Sequence, residues 1–293
     1  MYIRTQRALA VGVSERKENK IMLLPNVAID FLYDNEKLSD YDMMLCEFDQ
    51  NSSETISVGS NLTFNTVKTN GSDRNYYVGS SYDEPLTTTF QICKKDCYGK
   101  NKYFTSEELN SLLRWLCRKD GYHKFEICQD GYKGIYFMGS FNQPNEIKVG
   151  GLVAGLEFTL VTDSPYGYED IEFDFTTTAS VGYSIFNLST ETGHLYPTEF
   201  TCKCLESGNL TVHNSIEDRT MEIKNCVKGE IITLDGNHKI IETSVPTHKI
   251  YNDFNYNYFR LGNTYGDNLN IITTSIPCEI HIKYASVRKV GIG

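Results

Sequence analysis

The 293-residue sequence has no apolar stretch near the ~20 residues that a membrane-spanning helix requires, so no direct membrane insertion is expected. It also lacks a nucleophile elbow, a phosphate-binding glycine loop, a zincin motif and a dinucleotide fingerprint. The commonest local signatures of hydrolases, nucleotide-dependent enzymes and metalloproteases are therefore missing. A triad assembled from distant residues stays open, but the expectation is a protein that is not an enzyme and uses no cofactor. Basic residues are outnumbered, 28 Lys and Arg against 38 Asp and Glu, giving a net charge of −10. Nucleic acid and anionic membranes are bound by clustered Lys and Arg, so neither is an expected ligand. No internal repeat and no low-complexity tract occurs, and the 40% hydrophobic content is that of a folded protein. Tryptophan occurs once, against 20 Tyr and 15 Phe, a balance that favours strands.

The length suits two domains of normal size. Nine cysteines, an odd number, are scattered through a chain large enough to need no staples, and they read as free thiols of a reducing cytosol. The apolar run Ala8 to Val13 is shorter than a signal-peptide core and meets Ser14-Glu15-Arg16-Lys17-Glu18 at once, so no signal peptide is expected. Residues 1–25 read as an N-terminal extension. From Ile29 the chain alternates through short strands, with a hairpin signal at Asn70-Gly71 after Leu62 to Val67. Pro144-Asn145 separates a strand from Ile135 to Phe141 from a long run ending at Thr162, in which Gly150, Gly151 and Gly155 suggest bulges or a bent hairpin. Turn formers from Asp163 to Tyr168 mark a boundary, dividing the rest into domains 26–168 and 169–293. Beyond that boundary, short strands at regular turns give the pattern of a β-sandwich or jelly roll.

One segment stands apart, Thr105 to Cys117. Thr105 and Glu108 are spaced as a capping box, and Leu109, Leu112, Leu113 and Leu116 make one apolar stripe. Trp115 lies about 120° from the centre of that stripe, so the leucine face alone does not bury it. Just before this helix, Lys94, Lys95, Lys100 and Lys102 form the one local basic cluster. It reads either as a solvated loop or as a partner for an acidic face. Trp115 and these four lysines are candidate subunit-interface residues.

Other clusters carry weaker chemistry. Asp170, Glu172 and Asp174 share one strand face, an arrangement open to a cation or to glycoside chemistry. With Ile171, Phe173 and Phe175 opposite, they read as a solvated outer face. Cys202 and Cys204 share a strand face, and Cys93 and Cys97 flank two lysines. Neither pair has the second half-site that zinc requires, and no metal is expected. The stretch Tyr251 to Tyr265 is either a sugar platform, using Tyr251, Tyr256, Tyr258 and Tyr265, or a strand pair with its loop, the reading preferred for its alternation.

Several short motifs, in order, resemble the distal tail proteins of long-tailed phages that infect Gram-positive bacteria. They are Phe31-Leu32-Tyr33-Asp34, Arg114-Trp115-Leu116 with Gly121-Tyr122-His123-Lys124-Phe125, and Thr162 to Tyr168. The second half adds Gly208 to Asn214, Lys228-Gly229-Glu230, Phe259-Arg260-Leu261-Gly262-Asn263 and Tyr284 to Gly291. The resemblance covers nearly everything from about residue 29. It implies a mainly β protein, with an N-terminal β-sandwich carrying one α-helix and a β-hairpin, followed by a C-terminal galectin-like β-sandwich. It further implies a homo-hexameric ring at the virion tail tip, assembled in the host cytoplasm. Its implied partners are the tail tube protein, the tail-tip hub or tail-associated lysin, and receptor-binding proteins, with genome DNA passing through without specific binding. The runner-up is a cell-wall carbohydrate-binding or adhesion module on the same sandwich, and a tail-associated hydrolase using Asp170, Glu172 and Asp174 is a third reading.

Overall fold

The computed structural model describes residues 28–48, 61–82, 84–97, 99 and 102–292. The expected extension 1–25 lies outside them, as does Lys100. The first part holds β1 (Phe31–Tyr33), β2 (Glu36–Lys37), β3 (Met43–Cys46), β4 (Leu62–Lys68), β5 (Asn75–Tyr82), β6 (Thr87–Lys94), α1 (Ser106–Leu116), β7 (His123–Ile127), β8 (Ile135–Val149) and β9 (Leu152–Thr162). The second holds β10 (Gly167–Thr177), β11 (Tyr183–Phe186), β12 (Gly193–Leu195), β13 (Glu199–Cys204), β14 (Gly208–Asn214), β15 (Arg219–Cys226), β16 (Ile231–Asp235) and β17 (Ile240–Thr243). It ends with α2 (Ile250–Asp253), β18 (Leu261–Asn263), β19 (Leu269–Thr274) and β20 (Cys278–Arg288). The protein is mainly β, with antiparallel pairing throughout these strands.

Alternation explains where the first core sits. In β1 and β3 every second side chain is buried, and Phe31, Tyr33, Met43 and Leu45 point inward with Phe90 and Ile92 of β6. The strands run in the order β2, β1, β7, β8, β9, β6, β3. The Leu45 N–H donates to the Ile29 carbonyl at 3.0 Å, which turns the last strand of the strip back toward its first. Pro144 does not end a strand as the sequence suggested. β8 absorbs it in a bulge between Asn142 and Asn145, with Gln143 at φ 50°, and reverses only at Gly150-Gly151, both at positive φ.

The second core lies between the sheet β17-β16-β13-β20-β10 and the sheet β11-β19-β14-β15, a sandwich filled by Phe200, Leu210, Val212, Ile223, Ile232, Ile272, Ile280 and Ile282. Two features tie the halves together. Tyr168 and Glu169 of β10 pair with Tyr136 and Ile135 of β8, so the first sheet of the sandwich continues into the N-terminal sheet. Ile292 is buried in the first core, and the Tyr132 hydroxyl donates to the Gly291 carbonyl at 3.0 Å, so the chain comes back to its first unit after completing the second.

Residues 251–265 are not a strand pair. They form α2, an irregular stretch and β18, because Asn255 and Asn257 each donate a side-chain N–H to the Thr220 carbonyl, while Phe254, Tyr258 and Phe259 enter the core. Side-chain amides here supply bonds that a strand ladder would otherwise make.

Candidate assembly surfaces

The helix forms where its sequence places it. The Thr105 hydroxyl accepts from the Glu108 N–H at 3.3 Å, and the Glu108 carboxylate accepts from the Thr105 N–H at 2.7 Å, which closes the capping box. Lys94 reaches the same carboxylate at 2.7 Å. Burial works against the charged Glu108, but the hydrogen bonds from Lys94 and Thr105 prevail and hold its carboxyl below the usual range.

Trp115 is packed in the core of its own unit, where the sequence expectation had it as a subunit contact. Only 6% of it is exposed. Its ring stacks on Tyr41 with centroids 4.5 Å apart and on Phe31 at 5.9 Å, and its Nε1–H donates to the Tyr33 carbonyl at 3.3 Å. The cover that the leucine stripe could not supply comes from the segment between β1 and β3.

Two of the lysines are likewise engaged within the chain. Lys94 is held by Glu108 and lies 5.9 Å over the Phe104 ring, and Lys95 donates to the Ser39 carbonyl at 2.6 Å. Each would have to give up an internal partner to bind a neighbour. Lys102 lies 5.2 Å over the Tyr103 ring on its own exposed segment.

The surface that the sequence did not single out is the hairpin β4–β5. Among the described residues its strands pair only with each other, from Leu62 opposite Tyr82 to Lys68 opposite Asn75. β4 is exposed along its whole length, and Leu62, Phe64, Val67, Tyr76, Tyr77 and Val78 all face solvent, Phe64 with 62% of its surface. Among the described residues, its base is anchored. The Tyr82 hydroxyl donates to Glu191 at 2.6 Å, and the Tyr82 ring meets Tyr166 edge-on at 5.8 Å. The alternation of apolar residues and the Asn70-Gly71 turn signalled a hairpin, but nothing local signalled that, among the described residues, no third strand pairs with it.

The four tyrosines do not form a single platform. Tyr258 is packed in the core, its hydroxyl donating to the Lys239 carbonyl, which corrects its candidacy as a sugar-binding side chain. Tyr251 and Tyr256 are exposed and joined by a 2.8 Å bond from the Tyr256 hydroxyl to the Tyr251 carbonyl. Tyr265, 97% exposed, stands on the turn between β18 and β19. Asp170, Glu172 and Asp174 do lie on an outer face, and each has its own partner: the Tyr136 hydroxyl at 2.8 Å, Lys283 at 3.0 Å and His281 at 2.9 Å.

One buried polar cluster escaped sequence reading. Glu230, almost wholly buried, accepts from the Val227 N–H at 2.9 Å, from the Thr243 hydroxyl, and from His248 Nδ1 at 2.5 Å. His248 Nε2 lies 3.3 Å from Asp253. Burial opposes charge on both groups, but the bonds outweigh it: those from Thr243, His248 and the Val227 N–H lower the Glu230 pKa, and the Glu230 carboxylate raises that of His248. A shallow depression of about 340 Å³ lies beside them, lined by Asn225, Thr247, Lys249 and Asp253 among others. Among the described residues no three His, Cys, Asp or Glu side chains are grouped to hold a metal ion, and no helix is long and apolar enough to cross a membrane.

With this geometry in hand, comparison with family models matches residues 26–164 to a phage tail protein N-terminal domain and residues 166–284 to a phage tail C-terminal domain. The chain belongs to the phage tail proteins. Among solved structures, this tail protein is similar to the Dit protein of phage SPP1, described as a paradigm of the hub adsorption apparatus in phages infecting Gram-positive hosts. That match has 13% identity and a TM-score of 0.62, covering 88% of this chain and 99% of the other. A chain of the phage p2 baseplate in its activated conformation also matches, at 11% identity and a TM-score of 0.44, covering 87% of this chain and 97% of the other. Comparison with curated proteins found no match. The tail protein therefore has the fold of a distal tail protein, with β-sandwich units of the kind the sequence suggested.

Proposed function

We propose that this tail protein is a non-enzymatic connector that assembles as a homo-hexameric ring at the virion tail tip. In this reading it joins the tail tube protein to the tail-tip hub or tail-associated lysin, and it carries receptor-binding proteins on its outward domain. The division at 168/169 separates the ring-forming unit from the outer sandwich. Assembly takes place in the host cytoplasm, before the particle leaves.

The observation that carries the reading is the β4–β5 hairpin. A two-stranded hairpin alone is marginally stable in water, and several large apolar side chains exposed together on one such element mark a surface for interaction. Docking on the neighbouring copy in a ring covers it. Lys102 is the described residue of the lysine cluster that remains available to such an interface. The net charge of −10 supports a channel past which DNA slides without binding. Each outer-face acid already has a partner of its own, which suits a solvated face and not a hydrolase.

Light scattering on the purified protein, with negative-stain images of the same sample, tests the ring. A mass near six subunits and a central hole are expected. A monomer that also fails to close on a tail-tube template would overturn the proposal.

A further inference from the structure

The second core holds four reduced cysteines, Cys202, Cys204, Cys226 and Cys278, all buried. Cys204 and Cys278 are directly opposed Cα partners of β13 and β20. Their register is fixed by the neighbouring bonds. The Leu205 N–H donates to the Pro277 carbonyl at 2.9 Å, whereas the Cys204 N–H turns away to the Glu230 carbonyl at 2.9 Å and the Cys278 N–H turns to Thr177 Oγ1 at 3.1 Å. The two cysteines therefore occupy a non-hydrogen-bonded antiparallel pair, where Cα atoms are about 4.5 Å apart and side chains approach most closely. A disulfide spans Cα separations of about 4.4–6.8 Å.

The other pairings fit less well. Cys202 and Cys204 lie two residues apart on one strand, with Cα atoms about 6.6 Å apart and parallel side chains. Cys226 comes from the facing sheet, and its thiol reaches Cys204 across the core, but the two are not paired backbone partners on adjacent strands. Its Sγ is turned toward the Ile223 carbonyl at 3.6 Å.

We propose that Cys204 and Cys278 are a latent cross-strand disulfide, closed by a small peroxide. Cys204 is the last residue of β13 and Cys278 the first of β20, so fraying at the strand ends admits the oxidant without opening the sandwich. Cys278 serves as the first nucleophile because the neighbouring Cys202 and Cys204 thiols lower its pKa despite burial; its Sγ–H, which donates to the Ile276 carbonyl at 3.4 Å, gives up that bond on ionising. Its thiolate attacks one peroxide oxygen, the O–O bond breaks, and hydroxide leaves with a proton as water, giving a sulfenic acid. The Cys204 sulfur then attacks the Cys278 sulfur and expels a second water, the S–S bond forms, and two electrons have passed from the thiols to the peroxide.

The test uses the full chain exposed to dilute hydrogen peroxide, then denatured, alkylated and digested for mass spectrometry. The expected result is a peptide pair joined between Cys204 and Cys278, lighter by two hydrogens and separated by dithiothreitol. Cys202→Ser should keep the link, and Cys204→Ser should leave Cys278 unlinked. Recovery of both Cys204 and Cys278 as alkylated residues from the treated wild-type protein would overturn the proposal, as would a link from Cys204 to Cys202 or Cys226. The wild-type map decides even if a variant does not fold.

Discussion

Replacing Trp115 with alanine separates a core residue from an interface residue. The indole stacks on Tyr41 and Phe31, meets Tyr33 edge-on at 6.2 Å, and donates to the Tyr33 carbonyl. Trp→Ala in a packed core costs about 3–5 kcal/mol, and the buried carbonyl left without its donor adds about 1 kcal/mol. The total, about 4–6 kcal/mol, corresponds to a melting shift of about 10–20 °C for a unit of this size. Trp115→Phe keeps a ring between Tyr41 and Phe31 and should lose only about 1–2 kcal/mol, chiefly the hydrogen bond and some packing. Because the alanine variant has lost the only tryptophan, unfolding in urea is best followed by far-UV circular dichroism. An unchanged midpoint with lost assembly would refute the assignment and return Trp115 to the subunit interface.

Removing the hairpin tip, or replacing Phe64 and Tyr77 with serine, should leave the circular dichroism spectrum and melting transition unchanged while lowering the mass seen by light scattering; a retained hexamer would sink the docking role. The Glu230–His248 pair predicts a two-sided pH dependence. His248 has a raised folded pKa, so its contribution is complete below its ordinary 6.5 and is lost as pH rises through the folded value, whereas that of Glu230, with its lowered pKa, is complete above its ordinary 4.5 and is lost as pH falls through the folded value. Melting temperatures across that range should show this pair contributing most between those two values, and His248→Gln should flatten the alkaline limb; a parallel profile in the variant would count against the pair. Replacing Asp170, Glu172 and Asp174 together by Asn, Gln and Asn should leave the tail protein folded and assembled, as judged by circular dichroism and light scattering, and loss of a wall-degrading activity in the variant would revive the hydrolase reading.

Local chemistry was legible in the sequence where neighbours in the chain are neighbours in space. The capping box of α1, the outward acids of β10 and the turn at Asn70-Gly71 are of this kind. Trp115 shows the limit: its position off the leucine stripe correctly demanded another cover, but Tyr41 supplies it from far away in sequence. Glu230 and His248 lie 18 residues apart, with no motif to join them. The opposition of Cys204 and Cys278 depends on strand register, which no local pattern reveals. For Tyr258 and Phe259, aromatic alternation resembled a strand, but buried rings combined with asparagine bonds to the backbone produced an irregular path instead.

The return of Ile292 to the first core bears on how the protein is made. Gly291 and Tyr132, joined by a hydrogen bond, are 159 residues apart. During synthesis the N-terminal core therefore receives this last side chain only after the whole sandwich has been translated. A fragment cut at residue 168 would lack a piece of its own interior, and a purification tag fused directly after residue 292 would pull on the first unit, although it is attached beyond the second.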